Sequence, residues 1–485
     1  MQTQHMPYSR HLTLCLLLLA SIVLAFSFQG TRGLWDPDEG RYTNVALEMM
    51  RSGDYFTPHR HHETMHVTKP PVTYWAIAAS AGTFGKNEWA FRAPMAIAFV
   101  ITVLLVFELG KSLVPRRPWL PALIYLASPI PMLATSAITT DTLLACAETA
   151  AVMAYAKYRF SNKNGRWLDL MWAIFGLAFM IKGPPALLPM LAIVVWEWKS
   201  SRLKALVRPV GLGLFVLLGF TWFAAITYKN PELLNYFFGH EVVERIASAN
   251  HNRNGEWYGG FLVYLPTLAL GALPWLGIVI WRKWLKREQT ALPDTSKFLW
   301  LWLLLPLVIF MVSRSRLPFY VLPLFVPIAL LLGQSLQNVD IRKRHIFFTV
   351  AWLAAMIATK ALIAYAPSDQ DARKLSREIS PLLPGKPAEL VFIDTKAAYG
   401  LHFYLGAEIE KISIADLAGP QLPSDAEYDQ DLKSELFEDE PDRYFLVPLK
   451  KQDDFVRAIE AGSMHAHLLG TTGKLAVYAI GKTAK

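Results

Sequence analysis

The residues best suited to chemistry in this 485-residue chain lie in short clusters beside long apolar runs. The first cluster is Trp35-Asp36-Pro37-Asp38-Glu39-Gly40-Arg41-Tyr42. Pro37 followed by two acids reads as a helix start, because a first-turn dipole favours negative charge. Capping would account for one carboxylate. The acid pair Asp38 and Glu39, next to Trp35 and just past an apolar run, points further, to proton transfer or positioning by Asp38. The chain continues through Ser52-Gly53-Asp54-Tyr55 to His59, His61, His62 and His66, then Lys69-Pro70-Pro71. Four close histidines could hold a metal; a polar loop is the simpler reading. Lys69 stands where the chain re-enters apolar sequence, which suits a point charge on a lipid phosphate. A snorkelling lysine would look the same.

Further clusters follow. Asp141 comes after Thr139-Thr140, and Lys182 precedes Gly183-Pro184-Pro185. Both stand at the ends of apolar runs, as ordinary boundary residues or as an ion pair facing a cavity. Gly239-His240-Glu241 and Arg245 lie in a polar stretch. Arg314-Ser315-Arg316-Leu317-Pro318-Phe319-Tyr320 puts two cations and a tyrosine at another boundary. Acids, a histidine and cations gathered on one face of an apolar bundle suit a substrate with a phosphate head and a lipid tail. The bundle takes the tail, the cations take the phosphate, and a carboxylate moves a proton or orients a group.

The elements that must position these residues are membrane spans. Hydrophobic residues make up 53% of the chain and charged residues only 18%, too little charge for a soluble surface of this size. A span needs roughly 20 mostly apolar residues. Eleven runs qualify: 12–30, 89–110, 118–134, 140–158, 167–181, 184–198, 206–227, 259–281, 297–313, 317–336 and 346–366. The stretch 70–84 adds a short or re-entrant helix, so about 11–13 transmembrane helices are expected. The first run is long and no small-residue cleavage site follows, so it reads as an uncleaved anchor. The net charge of +9 comes from clusters between apolar runs, not from a nucleic-acid face. Cys15 and Cys146 are too few for a disulfide framework and lack metal spacing.

Every second connection is basic. Lys111, Arg116 and Arg117 form one group; Lys157, Arg159, Lys163 and Arg166 the next; Lys199, Arg202, Lys204 and Arg208 another. Arg282, Lys283, Lys286, Arg287 and Lys297 follow, then Arg342, Lys343 and Arg344. The positive-inside rule puts these in the cytoplasm together with Arg10. The long loops 31–88 and 229–258, and residues 367–485, then face outward. The expected organisation is a transmembrane domain over 1–366 and a small soluble α/β domain over 367–485. In the latter, Leu390–Ile393, Tyr444–Val447 and Lys474–Ile480 read as strands and Asp453–Ala461 as a helix. No Gly-rich phosphate loop is present, so no nucleotide cofactor and no ATP-driven pump are expected.

The segments P-D-E-G-R-Y, S-G-D-Y, T-K-P-P-V-T-Y-W, T-T-D-T, F-M-I-K-G-P-P-A-L-L, F-F-G-H-E-V-V-E-R-I and S-R-S-R-L-P-F-Y-V-L-P run in order over roughly 30–335. Together they resemble the bacterial lipid A aminoarabinose transferases and the related protein mannosyltransferase-like enzymes. These are GT-C type glycosyltransferases that use polyprenyl-phosphate sugars. The resemblance implies a periplasmic-face site in the bacterial inner membrane. It implies a polyprenyl-phosphate sugar donor, of the undecaprenyl kind, and a lipid A or other glycolipid acceptor. By the same resemblance Asp38 matches the catalytic aspartate, with Arg41 and Tyr42 beside the donor phosphate and Lys69 on it. Asp141 and Lys182 match a membrane-level acid and base, His240 a histidine of the second long loop, and Tyr320 a tyrosine near the lipid. Glu39 joins the catalytic group, and Arg245 and Arg314 join the donor-phosphate and lipid group, on position alone. The family commonly has Glu-Lys-Pro where this chain has Thr68-Lys69-Pro70, and that glutamate is associated with a divalent metal. Thr68 cannot replace a carboxylate, which leaves His66 and Glu63 as metal candidates. Two rival readings remain at this stage: a flippase or transporter for a lipid-linked sugar, and a transferase acting on a protein hydroxyl.

Overall fold

The computed structural model describes residues 7–62, 64–237, 254–282, 293–417, 428–438 and 442–482. The chain divides into two compact units: Met1–Gln29 with Arg92–Ile363, and Gly30–Phe91 with Ala364–Lys485.

The first unit is helical, and all eleven apolar runs contribute helix to it. Several are interrupted where proline withdraws a donor from the ladder. The run 118–134 becomes Trp119–Leu126 and Pro129–Ala134, and 259–281 becomes Gly259–Gly271 and Trp275–Ile280. The run 317–336 begins as a 3-10 segment, Pro318–Leu324. Among the described residues, five helical segments are long and apolar enough to cross a membrane: Glu88–Leu113, Pro209–Lys229, Thr295–Val312, Pro318–Leu336 and Lys343–Tyr365. Their exposed faces are apolar. Val216, Leu217, Val308, Val312, Phe347 and Val350 lie open on the surface. Such a belt is stable only against lipid. The interior is close-packed around Phe99, Tyr125, Phe175, Phe298, Trp302 and Phe325.

Buried charge in this unit is satisfied by helix ends. The Lys360 ammonium donates to Leu24 O at 2.7 Å, Ala25 O at 3.0 Å and Thr135 Oγ1 at 3.0 Å. Leu24 and Ala25 lie in the last turn of the Pro7–Phe26 helix, where carbonyls have no intrahelical donor. Arg92 donates to Gln29 O at 2.6 Å, and Gln29 donates to Thr135 O at 2.9 Å. All three ammonium protons of Lys360 are thereby used without an acid.

The second unit is built on a six-stranded sheet of order β3-β2-β1-β4-β6-β5. The strands are β1 (Glu389–Ile393), β2 (Glu408–Ser413), β3 (Gln430–Asp431), β4 (Arg443–Pro448), β5 (Met464–Thr471) and β6 (Leu475–Lys482). β1 to β4 pair in parallel, with Leu390 opposite Ile409 and Tyr444. β6 pairs antiparallel with β4 and β5. β1 is buried at all its positions, as a parallel strand covered on both faces requires. Alternate residues feed two cores. Leu390, Phe392 and Leu446 meet Ile379 and Leu401, while Val391, Ile393 and Phe445 meet Phe455 and Ile459. The expected strands and the helix Gln452–Ala461 are present. β2, β3 and β5 are additional. β2 reads Glu-Ile-Glu-Lys-Ile-Ser, and its acids conceal the strand period in the sequence.

Residues 30–91 belong to this same unit. The helix Asp38–Ser52 ends at Gly53, whose φ of +75° and N–H bond to Met49 O form a left-handed cap. The helix Val72–Phe84 follows Pro70-Pro71. Trp35 and Asp371 form an antiparallel bridge. Asp36 N donates to Gln370 O at 2.9 Å, and Ala372 N to Leu34 O at 2.9 Å. Farther along, Arg60 pairs with Asp429, and His62 with Glu408 at 2.6 Å. Glu88 accepts from Arg373 at 2.5 Å and from Tyr404 at 2.8 Å.

The Lys360 network leads to a stability prediction. Lys360→Met removes one of two donors from each of two helix-end carbonyls, which keep Ser27 and Gln29, and should lower stability by about 1 kcal/mol, read as a lower unfolding midpoint of the detergent-solubilised protein. An unchanged midpoint would show that lipid-side packing alone holds these helices together.

Candidate active site

The first part of the candidate site lies in the second unit. Glu39 is turned inward. Its carboxylate accepts from Arg32 at 2.5 and 3.0 Å and from Trp35 N at 2.9 Å. Arg32 also lies over the Trp35 ring, 4.0 Å from its centroid. Glu39 is therefore a clamp that fixes residues 32–35 to the helix start. Asp38, one residue earlier, faces the other way. Its side chain is 46% exposed and pairs with Arg41 at 2.7 Å, one turn along the helix. Gly40 is required here, since a Cβ would overlap Asp36 Oδ1 and Gly400 N.

Arg41 links Asp38 to a group of rings and cations around His66. Arg41 lies by the Tyr42 ring, 5.9 Å from its centroid. Tyr42 packs against Tyr74 at 5.6 Å, and His66 meets Tyr74 edge-on at 6.4 Å. His66 is buried, with Nε2 at 3.0 Å from Thr68 Oγ1. Burial pushes its pKa well below the usual imidazole range, and Arg41, Arg60 and Lys69 push it lower still. The imidazole is thus neutral, and three cations share the neighbourhood. Lys69 is half-buried and donates to Thr68 O at 2.7 Å. Arg60 was not singled out by the sequence. Its position inside the Pro-His-Arg-His-His run was the available signal.

A separate group of candidate residues lies in the first unit. Lys182 forms an ion pair with Asp141. Both side chains are buried, and the ammonium sits over the Tyr320 ring at 4.1 Å from its centroid. Asp141 begins the helix Thr140–Lys157, and Lys182 ends Arg166–Lys182, so the two helix dipoles favour both charges. These three residues, far apart in sequence, form one cluster. The two arginines of Ser-Arg-Ser-Arg differ. Arg316 is buried and donates to Asn254 O and Glu256 O, each at 2.6 Å, and to Met311 O at 3.0 Å. Arg314 is exposed and has no ion pair among the described residues. His240 and Arg245 lie outside the described residues.

Three groups in the second unit bring metal-ligating atoms together: His61, His62 and Glu408; His61, Glu410 and Asp429; and Glu389, Glu410 and Glu435. Several of these carboxylates already have cations. Glu408 faces Arg51, Asp429 faces Arg60, and Glu389 and Glu435 face Arg443. His66 belongs to none of the three groups, and its three cationic neighbours disfavour a bound metal. Glu63 lies outside the described residues.

The family described as dolichyl-phosphate-mannose-protein mannosyltransferase matches residues 68–225. An undecaprenyl phosphate-alpha-4-amino-4-deoxy-L-arabinose arabinosyl transferase of Pseudomonas fluorescens (strain Pf0-1) is 33% identical over 335 residues, covering 66% of this chain and 59% of that protein. The transferase of Yersinia pestis (strain Pestoides F) is 30% identical over 367 residues, covering 70% of this chain and 64% of that protein. The chain thus spans 59% to 64% of the length of these curated relatives. The crystal structure of ArnT from Cupriavidus metallidurans bound to undecaprenyl phosphate superposes with a TM-score of 0.75 at 20% identity, covering 96% of this chain and 97% of that one. The fold is therefore that of the GT-C type membrane glycosyltransferases, a polytopic helical body with a small C-terminal sheet domain. Within that class the chain is similar to the bacterial aminoarabinose transferases, and the resemblance read from the sequence motifs is borne out.

The arginine pair separates structure from chemistry. Arg316→Ala removes three donated bonds to the carbonyls of Asn254, Glu256 and Met311, of which Glu256 O keeps Gly259 N, and should lower stability by about 1–3 kcal/mol. Arg314→Ala should change it by less than about 0.5 kcal/mol. Unfolding midpoints of the two purified variants check this, and equal losses would contradict it.

Proposed function

We propose that the chain is an integral membrane glycosyltransferase. It moves a sugar from a polyprenyl phosphate, of the undecaprenyl type, to an acceptor on the periplasmic face, lipid A or another envelope glycolipid. The observation that carries this reading is the partly exposed Asp38–Arg41 pair in a neighbourhood shared by Arg60, Lys69 and a neutral His66. One carboxylate among several cations suits a reaction in which phosphate charge grows on one side and a proton leaves on the other. The names of the relatives make 4-amino-4-deoxy-L-arabinose the first donor sugar to assay.

The reaction is a displacement at the anomeric carbon. The bond from that carbon to the phosphate oxygen breaks, and a bond to the acceptor oxygen forms. The polyprenyl phosphate leaves with the electron pair, and Lys69, Arg41 and Arg60 stabilise its charge. A hydroxyl acceptor gives its proton to Asp38. A phosphate acceptor is already ionised, and Asp38 with Arg41 then orients it. Asp141, Lys182 and Tyr320 serve as the membrane-level acid, base and lipid-side tyrosine, and Arg314, with no ion pair among the described residues, is a cation for a lipid phosphate. His240 and Arg245, which lie outside the described residues, are assigned to the donor-phosphate group from the sequence alone. Residues 1–366 form the membrane domain with its outer loops, and 367–485 the periplasmic domain. The lysine and arginine alternation supports the outward face of both.

Asp38→Asn keeps size and removes charge. Its ion pair is half in solvent, so stability should fall by at most about 1 kcal/mol. Transfer from a purified polyprenyl-phosphate sugar should fall about a hundredfold or more. Lys69→Ala and Lys69→Gln should both lower turnover, with Lys69→Arg partly restored. Wild-type turnover by inserted Asp38→Asn would remove the base. Wild-type turnover by both neutral Lys69 variants would move the phosphate to Arg41 or Arg314.

A further inference from the structure

The parallel strands of the second unit contain a topological switch. From β1 the chain runs outward through β2 to β3, then returns to place β4 on the other side of β1. In open parallel sheets the loops at such a point diverge and leave a crevice beyond the carboxyl ends of the two strands. A cavity of about 960 Å³ occupies that place. The segment after β1 supplies Thr395 and Lys396, and the segment after β4 supplies Leu449 and Lys450.

The lining has the chemistry of a ligand site. Lys396 and Lys450 are exposed, follow β1 and β4 respectively, and have no ion pair among the described residues. Lys374 and Lys474 also line it, but both lean on Asp369, at 3.6 and 2.6 Å. Asp36 closes the wall on the side of the first loop. Its Oδ1 accepts from Gly400 N at 3.0 Å, while its Oδ2 is buried with no hydrogen-bond partner. Burial, with Glu39 and Asp371 adding repulsion, pushes this carboxyl up to about 8. At neutral pH it therefore carries a proton and forms a neutral, closed part of the wall. No Gly-rich turn follows β1, where Asp394-Thr395-Lys396-Ala397 stands, so a dinucleotide is disfavoured. Two free cations suit a phosphate. The Thr395 hydroxyl suits a sugar hydroxyl.

We propose that this crevice is a second saccharide-phosphate site, taking a phosphorylated sugar either as the head of a glycolipid or as a free sugar phosphate. It goes beyond the transfer reaction and does not require it. Its occupant would bear directly on the catalytic loop. Asp36 and Pro37 line the crevice immediately before Asp38, and Asp36 N is bonded to Gln370 O. A ligand held there sets the entry of the Asp38–Ser52 helix.

The test titrates the purified full chain with glucosamine 1-phosphate by calorimetry, beside glucosamine and inorganic phosphate. Saturable binding of the sugar phosphate, tighter than either control, is expected. The double variant Lys396→Glu, Lys450→Glu should weaken it about tenfold or more, as should Lys396→Gln with Lys450→Gln to a lesser degree. Asp38→Asn should leave it unchanged, which keeps a failure here distinct from a failure of the transfer reading. Co-sedimentation with lipid A vesicles distinguishes the sources. A loss of vesicle binding in the double variant assigns a lipid head, and retained vesicle binding with lost glucosamine 1-phosphate binding assigns a free ligand. Absent saturable binding, unchanged affinity in both double variants, or inorganic phosphate binding as tightly as the sugar phosphate would each overturn the proposal.

Discussion

The geometry of the first loop depends on one buried ion pair, Arg32 with Glu39. The Glu39 carboxylate takes two guanidinium hydrogens and the Trp35 amide, so the strand-like segment 32–35 and the helix Asp38–Ser52 cannot turn independently. Breaking such a pair from one side leaves an uncompensated charge, typically at about 3–5 kcal/mol. With Glu39 locked inward, the helical period turns Asp38 to the other face, where Arg41 meets it one turn later. Gly40 permits the close approach of Asp36 and Gly400 that seats this corner on the sheet domain. Two adjacent acids thus have opposite tasks, one structural and one open to a substrate.

The membrane body solves a related problem by different means. Its charges cannot rely on water, so they sit where helices end. Lys360 is satisfied by carbonyls of a helix C-terminus, Arg316 by backbone oxygens around a break, and Asp141 with Lys182 by each other at two helix termini. Arg314, with no such partner among the described residues, remains available to an anion. The distinction between Arg314 and Arg316 matters because both carry the same charge, two residues apart. One holds the chain and the other is exposed, with no ion pair among the described residues.

The basic neighbourhood of Asp38 shows the same economy. His66 contributes no charge, because burial and three cations hold it neutral. Arg41 and Lys69 come from the ends of the loop and Arg60 from its middle. Their shared neighbourhood is an outcome of how the loop packs with the sheet domain, where Arg60 meets Asp429 and His62 meets Glu408.

The sequence alone determined whatever depends on local period and composition. Apolar runs gave the helices, basic clusters their expected sidedness, and ordered motifs the resemblance. The helix at Asp38 followed from Pro37 and two acids, and β1 from an unbroken apolar run. Tertiary structure decided what depends on contacts between distant residues. β2 was hidden because Glu408 and Glu410 look like loop residues until Arg51, His61 and His62 meet them. The inward turn of Glu39, the seat of Lys182 over Tyr320, and the crevice between β1 and β4 could not be read from spacing. A carboxylate or an ammonium has the same local signature whether its partner is water, a helix end or a residue a hundred positions away, and only the fold supplies the partner.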